Sequence, residues 1–332
     1  MEVEKFQALV IDKNQEGFHI GLKQMALDNL PEGEVLIRVQ YSSLNYKDGL
    51  ACTPNGGIVR SYPHVPGVDL AGVVITSTDV RFEPGQQVIV TGFGLGVSHF
   101  GGFSQVARVP AKWVVPLPAG LQPQEAMLIG TAGLTAAISI ELLEHNGLSP
   151  EQGSVLVSGA TGGVGSFAVA MLAARGYKVV AATGKASEHA YLHALGAREI
   201  IGREQLNPEV RKPLEKQQWA AAIDPVGGSS LAFILASLQA GGAAAVSGLT
   251  GGVDVPTTVH PFILRGVHLL GVDSVNYPID RRSSLWEQIA RDLKQQGHLE
   301  HIARLTIPLR EVAHYAEEIR QGRIRGRVVI EV

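Results

Sequence analysis

Eight residues, Ser158-Gly159-Ala160-Thr161-Gly162-Gly163-Val164-Gly165, carry the sharpest chemical signal in the chain. They lie between the apolar run SVLV and an apolar stretch with helical spacing, Val164 to Arg175. The first N–H groups of a helix lack partners within it and sit at the positive end of its dipole, so they favour phosphate. Glycines at such a turn let the backbone approach a pyrophosphate and let the helix pack on the strand. The string alone serves a structural turn equally well. Placed at the head of a long series of strand–helix units, it reads as a dinucleotide site.

The end of the next strand selects the dinucleotide. NAD sites carry Asp or Glu about 20 residues after the glycines, for the ribose hydroxyl. Here KVVAAT ends in Thr183-Gly184-Lys185, and no carboxylate appears until Glu188. A cation at that place pairs with a 2′-phosphate, so the expected coenzyme is NADPH. The competing view makes Lys185 a solvated loop lysine. Arg203, after the following strand, is either a second charge for the adenine end or a surface residue.

Around these residues the texture changes twice. Glu34–Tyr41 alternates apolar and polar residues, and Gly72–Thr76 and Gln87–Thr91 are short apolar runs bounded by Gly, Pro and Asp. Short strands with turn punctuation predict a barrel-like or rolled sheet. A helix is expected from Pro123 to about His145. From Gly153 strands and helices alternate, which predicts α/β architecture with a doubly wound parallel sheet covered on both faces. Helical patterns at Ser284–Gln295 and Leu309–Arg320 lead to the strand RVVIEV, which returns to the β texture. The expected division is 1–125 with 275–332 as one domain and 126–274 as a nucleotide-binding domain.

Composition removes several function classes. The chain has 332 residues, suggesting two domains at roughly 150 residues each. Its 45% hydrophobic and 18% charged residues support a sizeable core. A net charge of −3 provides no cationic field for nucleic acid. The one cysteine, Cys52, excludes an intrachain disulfide and any zinc site needing two thiolates. It fits a reducing compartment. Leu231–Leu249 is long enough to suggest a membrane span, but Gln239 and Gly241-Gly242 interrupt it, so a helix, a turn and a buried strand are expected instead. No secretory signal is visible at the N-terminus, and no membrane partner is expected.

Seven strings in order resemble the zinc-independent, quinone-oxidoreductase-like branch of the medium-chain dehydrogenase/reductase superfamily, in particular the bacterial NADPH-dependent acrylyl-CoA reductase subgroup. They are Ser43-Leu44-Asn45-Tyr46-Lys47-Asp48, Pro66-Gly67-Val68-Asp69-Leu70-Ala71-Gly72, Gly130-Thr131-Ala132-Gly133-Leu134-Thr135-Ala136, the glycine turn, Pro261-Phe262-Ile263-Leu264-Arg265, Gly271-Val272-Asp273-Ser274 and Gly326-Arg327. The resemblance implies a GroES-like catalytic domain, a Rossmann domain with the coenzyme in the cleft between them, and a cytoplasmic homodimer. It places coenzyme contacts on Tyr46, on Thr161, Gly162, Gly163 and Val164, and on Thr183, Gly184, Lys185 and Arg203. Further contacts fall on Leu249, Ile263, Ser274 and Arg325. Thr131 and Thr135 either touch the coenzyme or cap and pack a helix. Zinc members have a Cys near Asn45 and a Gly-His-Glu near Asp69; neither is present, so no metal is expected, and His64 reads as structural.

The implied reaction is hydride transfer to the β-carbon of a conjugated carbonyl compound, with donors stabilising the oxyanion. Asn45 and Tyr46 are the candidate catalytic donors; otherwise Asn45 satisfies buried groups and Tyr46 stacks on the nicotinamide. Asp48 is expected to cap or orient their loop. The cluster Arg320, Arg323, Arg325 and Arg327 is either a clamp for coenzyme A phosphates or a solvated turn. The expected substrate is a small molecule, an enoyl thioester with acrylyl-CoA first. The alternatives are a quinone or small enone or enal, and a protein that binds NADPH without turnover.

Overall fold

The computed structural model describes residues 5–210, 212–294 and 297–332. Gln295, the expected end of one helix, and residues 1–4 at the N-terminus lie outside them. The chain divides into two compact units. One runs through Thr131 and takes back Val275–Glu287 and Ala303–Val332; the other comprises Ala132–Ser274 and Gln288–Ile302.

The first unit begins with an antiparallel hairpin, β1 (Lys5–Asn14) and β2 (Gly17–Ala26). There follow β3 (Val35–Leu44), α1 (Tyr46–Ala51), β4 (Asp69–Ser77), β5 (Gln87–Thr91), β6 (Val106–Val109) and β7 (Val114–Pro116). The expected alternation in β3 turns Val35, Ile37 and Val39 into a core with Leu70, Val74, Val88 and Val90, while Arg38 faces out. Each such buried aliphatic side chain contributes about 1.5–3 kcal/mol.

The long helix α2 (Pro123–His145) breaks at Gly130, where φ is 50° and ψ −157°. By length and composition it could cross a membrane, but most of it is buried in the protein. The second unit then alternates β8 (Ser154–Val157), α3 (Gly163–Ala174), β9 (Lys178–Thr183), α4 (His189–Ala194), β10 (Glu199–Gly202), β11 (Trp219–Asp224), α5 (Gly228–Ser237), β12 (Leu238–Val246), α6 (His260–Arg265) and β13 (His268–Gly271). Its strands pair in parallel in the order β10-β9-β8-β11-β12-β13. The apolar window Leu231–Leu249 contains the expected helix and strand, α5 and β12, but β12 begins at Leu238 and runs through residues 239–242, where the sequence predicts a turn.

The chain returns through α7 (Ile279–Lys294), α8 (His298–His301), β14 (Arg304–Pro308), α9 (Val312–Arg320) and β15 (Arg327–Glu331). β15 pairs antiparallel with β3, and β14 pairs with β15, completing a seven-stranded sheet in the first unit.

The division differs from the expected one at two places. Residues 126–131 belong to the first unit, because the helix is interrupted at Gly130 and the turn before it stays with the β structure. Residues 288–302 belong to the second unit. There Asp292 of α7 pairs with Arg175 Nη2 at 2.7 Å, and Arg175 Nη1 also meets Glu144 at 2.9 Å.

Candidate active site

In the first unit, β3 runs out at Leu44 and Asn45 becomes the N-cap of α1 with extended φ and ψ. Asp48, in the first turn, reaches back and accepts a hydrogen bond from Asn45 N at 2.8 Å. Its other oxygen accepts from Val68 N at 3.0 Å. Asp48 therefore locks the Asn45 loop to the segment before β4, the orienting role expected of it. Burial and then the nearby Asp69 push its carboxyl up to about 7. Cys52 caps the same short helix and is buried, and burial raises its thiol well above the ordinary range.

Asn45 sits between two carboxylates. Its Nδ2 donates to Asp69 Oδ2 at 2.8 Å and to Asp48 Oδ2 at 3.2 Å, and its Oδ1 accepts from Arg327 Nη1 at 3.1 Å. Asp69 also accepts from Ser43 Oγ at 2.6 Å, Thr131 N at 2.9 Å and Thr131 Oγ1 at 2.5 Å. Arg327 donates further to Ser43 Oγ at 2.8 Å and to the carbonyls of Leu44 and Leu128, and lies 3.9 Å from Asp69. Burial works against the guanidinium's charge, while Asp69 and Asp48 support it. Gly130 closes the cluster: a Cβ there would stand 2.6 Å from Asp69 Oδ2 and 2.9 Å from Arg327 Nη2. With φ positive as well, only glycine fits.

A cavity of about 50 Å³ opens beside this network, within the same unit. Its walls are Val68, Phe93, Leu95, Val97 and Val275, with Asn45, Lys47 and Thr131 as its polar side chains. Phe93 adopts a left-handed backbone with φ of 56°, its N–H donating to Val275 O. Its ring stacks on Trp113 at 5.9 Å, and the Arg282 guanidinium lies 4.4 Å from its centroid. Tyr46 is 37% exposed, does not line the cavity, and has no hydrogen bond to its hydroxyl among the described residues.

In the second unit, the glycine turn links β8 to α3 as its spacing predicts. Gly162 is the N-cap, and no side chain caps the helix. Gly165 packs so closely on the turn that a Cβ would reach 2.6 Å from Ala160 Cα and closer still to Gly159 O. Thr161 is buried and Gly163 and Val164 are half-buried. The Ser158 hydroxyl donates to buried Asp224, which also accepts from Gly227 N at 2.8 Å, fixing the turn to the end of β11. Backbone approach and a free helix start fit the phosphates of a dinucleotide.

At the end of β9, Thr183 Oγ1 accepts from Lys185 N at 3.1 Å. Arg203 lies flat across Gly184, its Nε 2.6 Å from where a Cβ would stand. Glycine at 184 thus gives the guanidinium its place. The Glu204 carboxylate folds over Gly202 in the same neighbourhood, an acid that reading β9 alone does not reveal. Of the remaining candidates, Thr135 is buried within α2, where its carbonyl accepts from Ser139 Oγ. Leu249 and Ile263 are exposed on the second unit, Ser274 is half-buried at its end, and Arg325 is exposed before β15 in the first unit.

The arginine cluster does not behave as one feature. Arg320 and Arg323 make exposed ion pairs with Glu317 at 2.5 Å and Glu318 at 2.7 Å, as a solvated turn would. Arg327 instead is buried at the centre of the network. In the sequence Asp69 stands inside the motif at 66–72 and Arg327 ends the arginine cluster, each at the head of an apolar strand, and that placement is the local signal for them.

Comparison with known proteins places this geometry. The alcohol dehydrogenase GroES-like domain matches residues 31–119 and the zinc-binding dehydrogenase family matches residues 163–291. Acrylyl-CoA reductase AcuI of Ruegeria pomeroyi is 48% identical over 329 residues, covering 98% of this chain and 99% of that protein. YhfP of Bacillus subtilis (strain 168), provisionally named a quinone oxidoreductase, is 52% identical over 327 residues, covering 98% of this chain and 99% of its own length. Among solved structures, E. coli K-12 YhdH with bound NADPH is 45% identical with a TM-score of 0.94, covering 98% of this chain and 99% of that one. B. subtilis yhfP with bound NAD is 52% identical with a TM-score of 0.95, covering 99% of each.

One family description names zinc. Among the described residues no group of three or more His, Cys, Asp or Glu is placed to hold a metal ion. Where Asp48 and Asp69 converge, the buried Arg327 guanidinium already supplies the positive charge, and a dication would be repelled. Among the described residues, the side chains of this cluster do not fit zinc. A GroES-like unit and a parallel nucleotide-binding sheet, matched at nearly half identity over the full chain, lead to one assignment: the chain belongs to the medium-chain dehydrogenase/reductase superfamily of oxidoreductases, in the quinone-oxidoreductase-like branch that includes the acrylyl-CoA reductases.

Proposed function

We propose that this chain uses NADPH to reduce an activated C=C bond, with acrylyl-CoA as the leading acceptor and propanoyl-CoA as its product. The observation that carries the coenzyme choice is the strand end at Thr183-Gly184-Lys185, where Arg203 lies across Gly184. Two cations there match a 2′-phosphate, and the turn at 161–164 matches the pyrophosphate. The acceptor follows the AcuI relatives. A quinone or small enal is the competing acceptor, after the name given to YhfP.

When bound, the reduced nicotinamide supplies a hydride to the acceptor's β-carbon. The protein's part is to bind and polarise. In the first unit Asp48 and Asp69 fix the Asn45 loop, so that Asn45 holds the loop's shape, and the exposed Tyr46 beside it carries a hydroxyl with no hydrogen bond among the described residues. In the second unit the glycine turn and the basic rim hold the phosphates. No step runs through a metal.

An acceptor panel with saturating NADPH tests the reading. Acrylyl-CoA should exceed a naphthoquinone and small enals in kcat/KM; a quinone preferred by a large factor removes the acyl-CoA assignment. NADPH binding without oxidation by any acceptor makes the chain a non-catalytic binder. The same reading includes a cytoplasmic homodimer. Leu269 on β13 and Ile263 and Leu264 on α6 expose apolar surface on the second unit, and β13 pairs only with β12 among the described residues. Sedimentation should give twice the chain mass, and a monomer at micromolar concentration ends that part.

A further inference from the structure

The proposed reaction needs a hydrogen-bond donor where negative charge develops, and most polar groups of the cavity are already committed. Asn45 spends its two amide hydrogens on Asp69 and Asp48. Thr131 spends its hydroxyl and its N–H on Asp69. The N–H groups of Val68, Gly92, Phe93 and Leu95 donate to Asp48 Oδ1, Val68 O, Val275 O and Gly92 O. Tyr46 does not line the cavity. Among the side chains of the cavity that leaves Lys47, whose ammonium has no hydrogen bond or ion pair among the described residues.

We propose that the Lys47 ammonium meets the acceptor's carbonyl oxygen in this cavity and stabilises the charge that develops there; the assignment rests on the reductase reading above. Lys47 is half-buried at a cavity walled by Val68, Phe93, Leu95, Val97 and Val275, with Asp48 and Asp69 turned inward to Asn45, Thr131 and the backbone. A half-buried cation without a counter-ion costs desolvation free energy, which an incoming oxyanion offsets. Hydride addition at the β-carbon breaks the C=C π bond. Its electron pair forms a new Cα=C bond, and the carbonyl π pair ends on oxygen, facing Lys47. Water then supplies the proton that forms the Cα–H bond as the carbonyl is restored. The acceptor gains two electrons and NADPH becomes NADP⁺. Lys47 acts as a fixed charge and is not the proton source.

Two measurements on Lys47→Met and Lys47→Arg decide the assignment. In turnover of acrylyl-CoA with saturating NADPH, Lys47→Met should lower kcat by about 100-fold or more. Lys47→Arg should stay within about tenfold of wild type, because the charge is kept. In titration of the NADP⁺-loaded protein with propanoate, a carboxylate standing in for the oxyanion, Lys47→Met should weaken Kd at least about tenfold while NADPH affinity is unchanged. A Lys47→Met enzyme within threefold of wild-type kcat overturns the proposal, as does propanoate binding that the substitution leaves unchanged. If wild type reduces no unsaturated carbonyl, the reductase reading fails, and the propanoate titration alone decides whether Lys47 receives an oxyanion.

Discussion

The buried cluster around Asp69 and the rim at the end of β9 use similar cations in opposite ways. In the first, Arg327 is enclosed and donates to Ser43, Asn45, Leu44 O and Leu128 O, so its charge serves the fold and the loop that carries Asn45. In the second, Arg203 is exposed over a glycine and Lys185 is half-buried at the neighbouring position, so both charges lie where water reaches. Residue type does not decide which job a cation does. The surrounding acceptors and the access of water do.

The strongest way to break this contrast is to remove Arg327. Arg327→Met leaves Asp69 enclosed without its compensating charge and should cost about 3–5 kcal/mol, read by chemical denaturation. Adding Asp69→Asn to it should cost less than the sum of the single changes. A loss under about 1 kcal/mol for Arg327→Met would place the cluster with ordinary surface pairs.

At the rim, Lys185→Asp should weaken NADPH by about 10- to 100-fold and leave NADH nearly unaffected, as judged by fluorescence titration. Equal losses for both coenzymes would remove the basis for 2′-phosphate recognition. The NAD bound to yhfP makes this comparison worth performing in both directions.

Acid–base behaviour sharpens the picture of the enclosed cluster. Asp48 rises from its ordinary 3.8 to about 7 in the fold. The folded chain therefore holds a proton that the unfolded chain releases, and stability falls as pH rises across that window, by about 1.4 kcal/mol per unit. His64 drops from 6.5 to about 4, chiefly through burial. It stays neutral while the unfolded chain takes up a proton, so its contribution is lost as pH falls from 6.5 toward 4. The two slopes oppose each other below 6.5. Wild type should change little there, whereas Asp48→Asn should lose stability with acidification. Parallel melting curves for the two proteins would disprove the Asp48 assignment. The smallest effect belongs to Arg320→Ala, whose exposed pair with Glu317 should be worth no more than about 1 kcal/mol.

What could be read from the sequence follows the range of the interactions. The glycine turn, the strand–helix alternation and the basic end of β9 are local patterns within a few residues, and each stands where its spacing predicts. The Asp69 cluster is different: Arg327 and Ser43, hydrogen-bonded partners, are 284 positions apart. Without the fold, Arg327 looks like one more charge after Arg320, Arg323 and Arg325. Gly130 likewise reads as a glycine in a helix, where the structure shows a break packed against two charged side chains. Glu204 is not legible in the sequence after β9, because it reaches back over Gly202 rather than following that strand.

The enclosure of Cys52 has a practical consequence. The chain has one cysteine, and its thiol is both shielded and hard to ionise, whereas alkylating reagents act on thiolates. The native protein should be nearly silent to maleimide. A cysteine introduced at Val80, which is 96% exposed, would then accept a fluorophore or spin label at a single defined position, without first deleting the natural thiol.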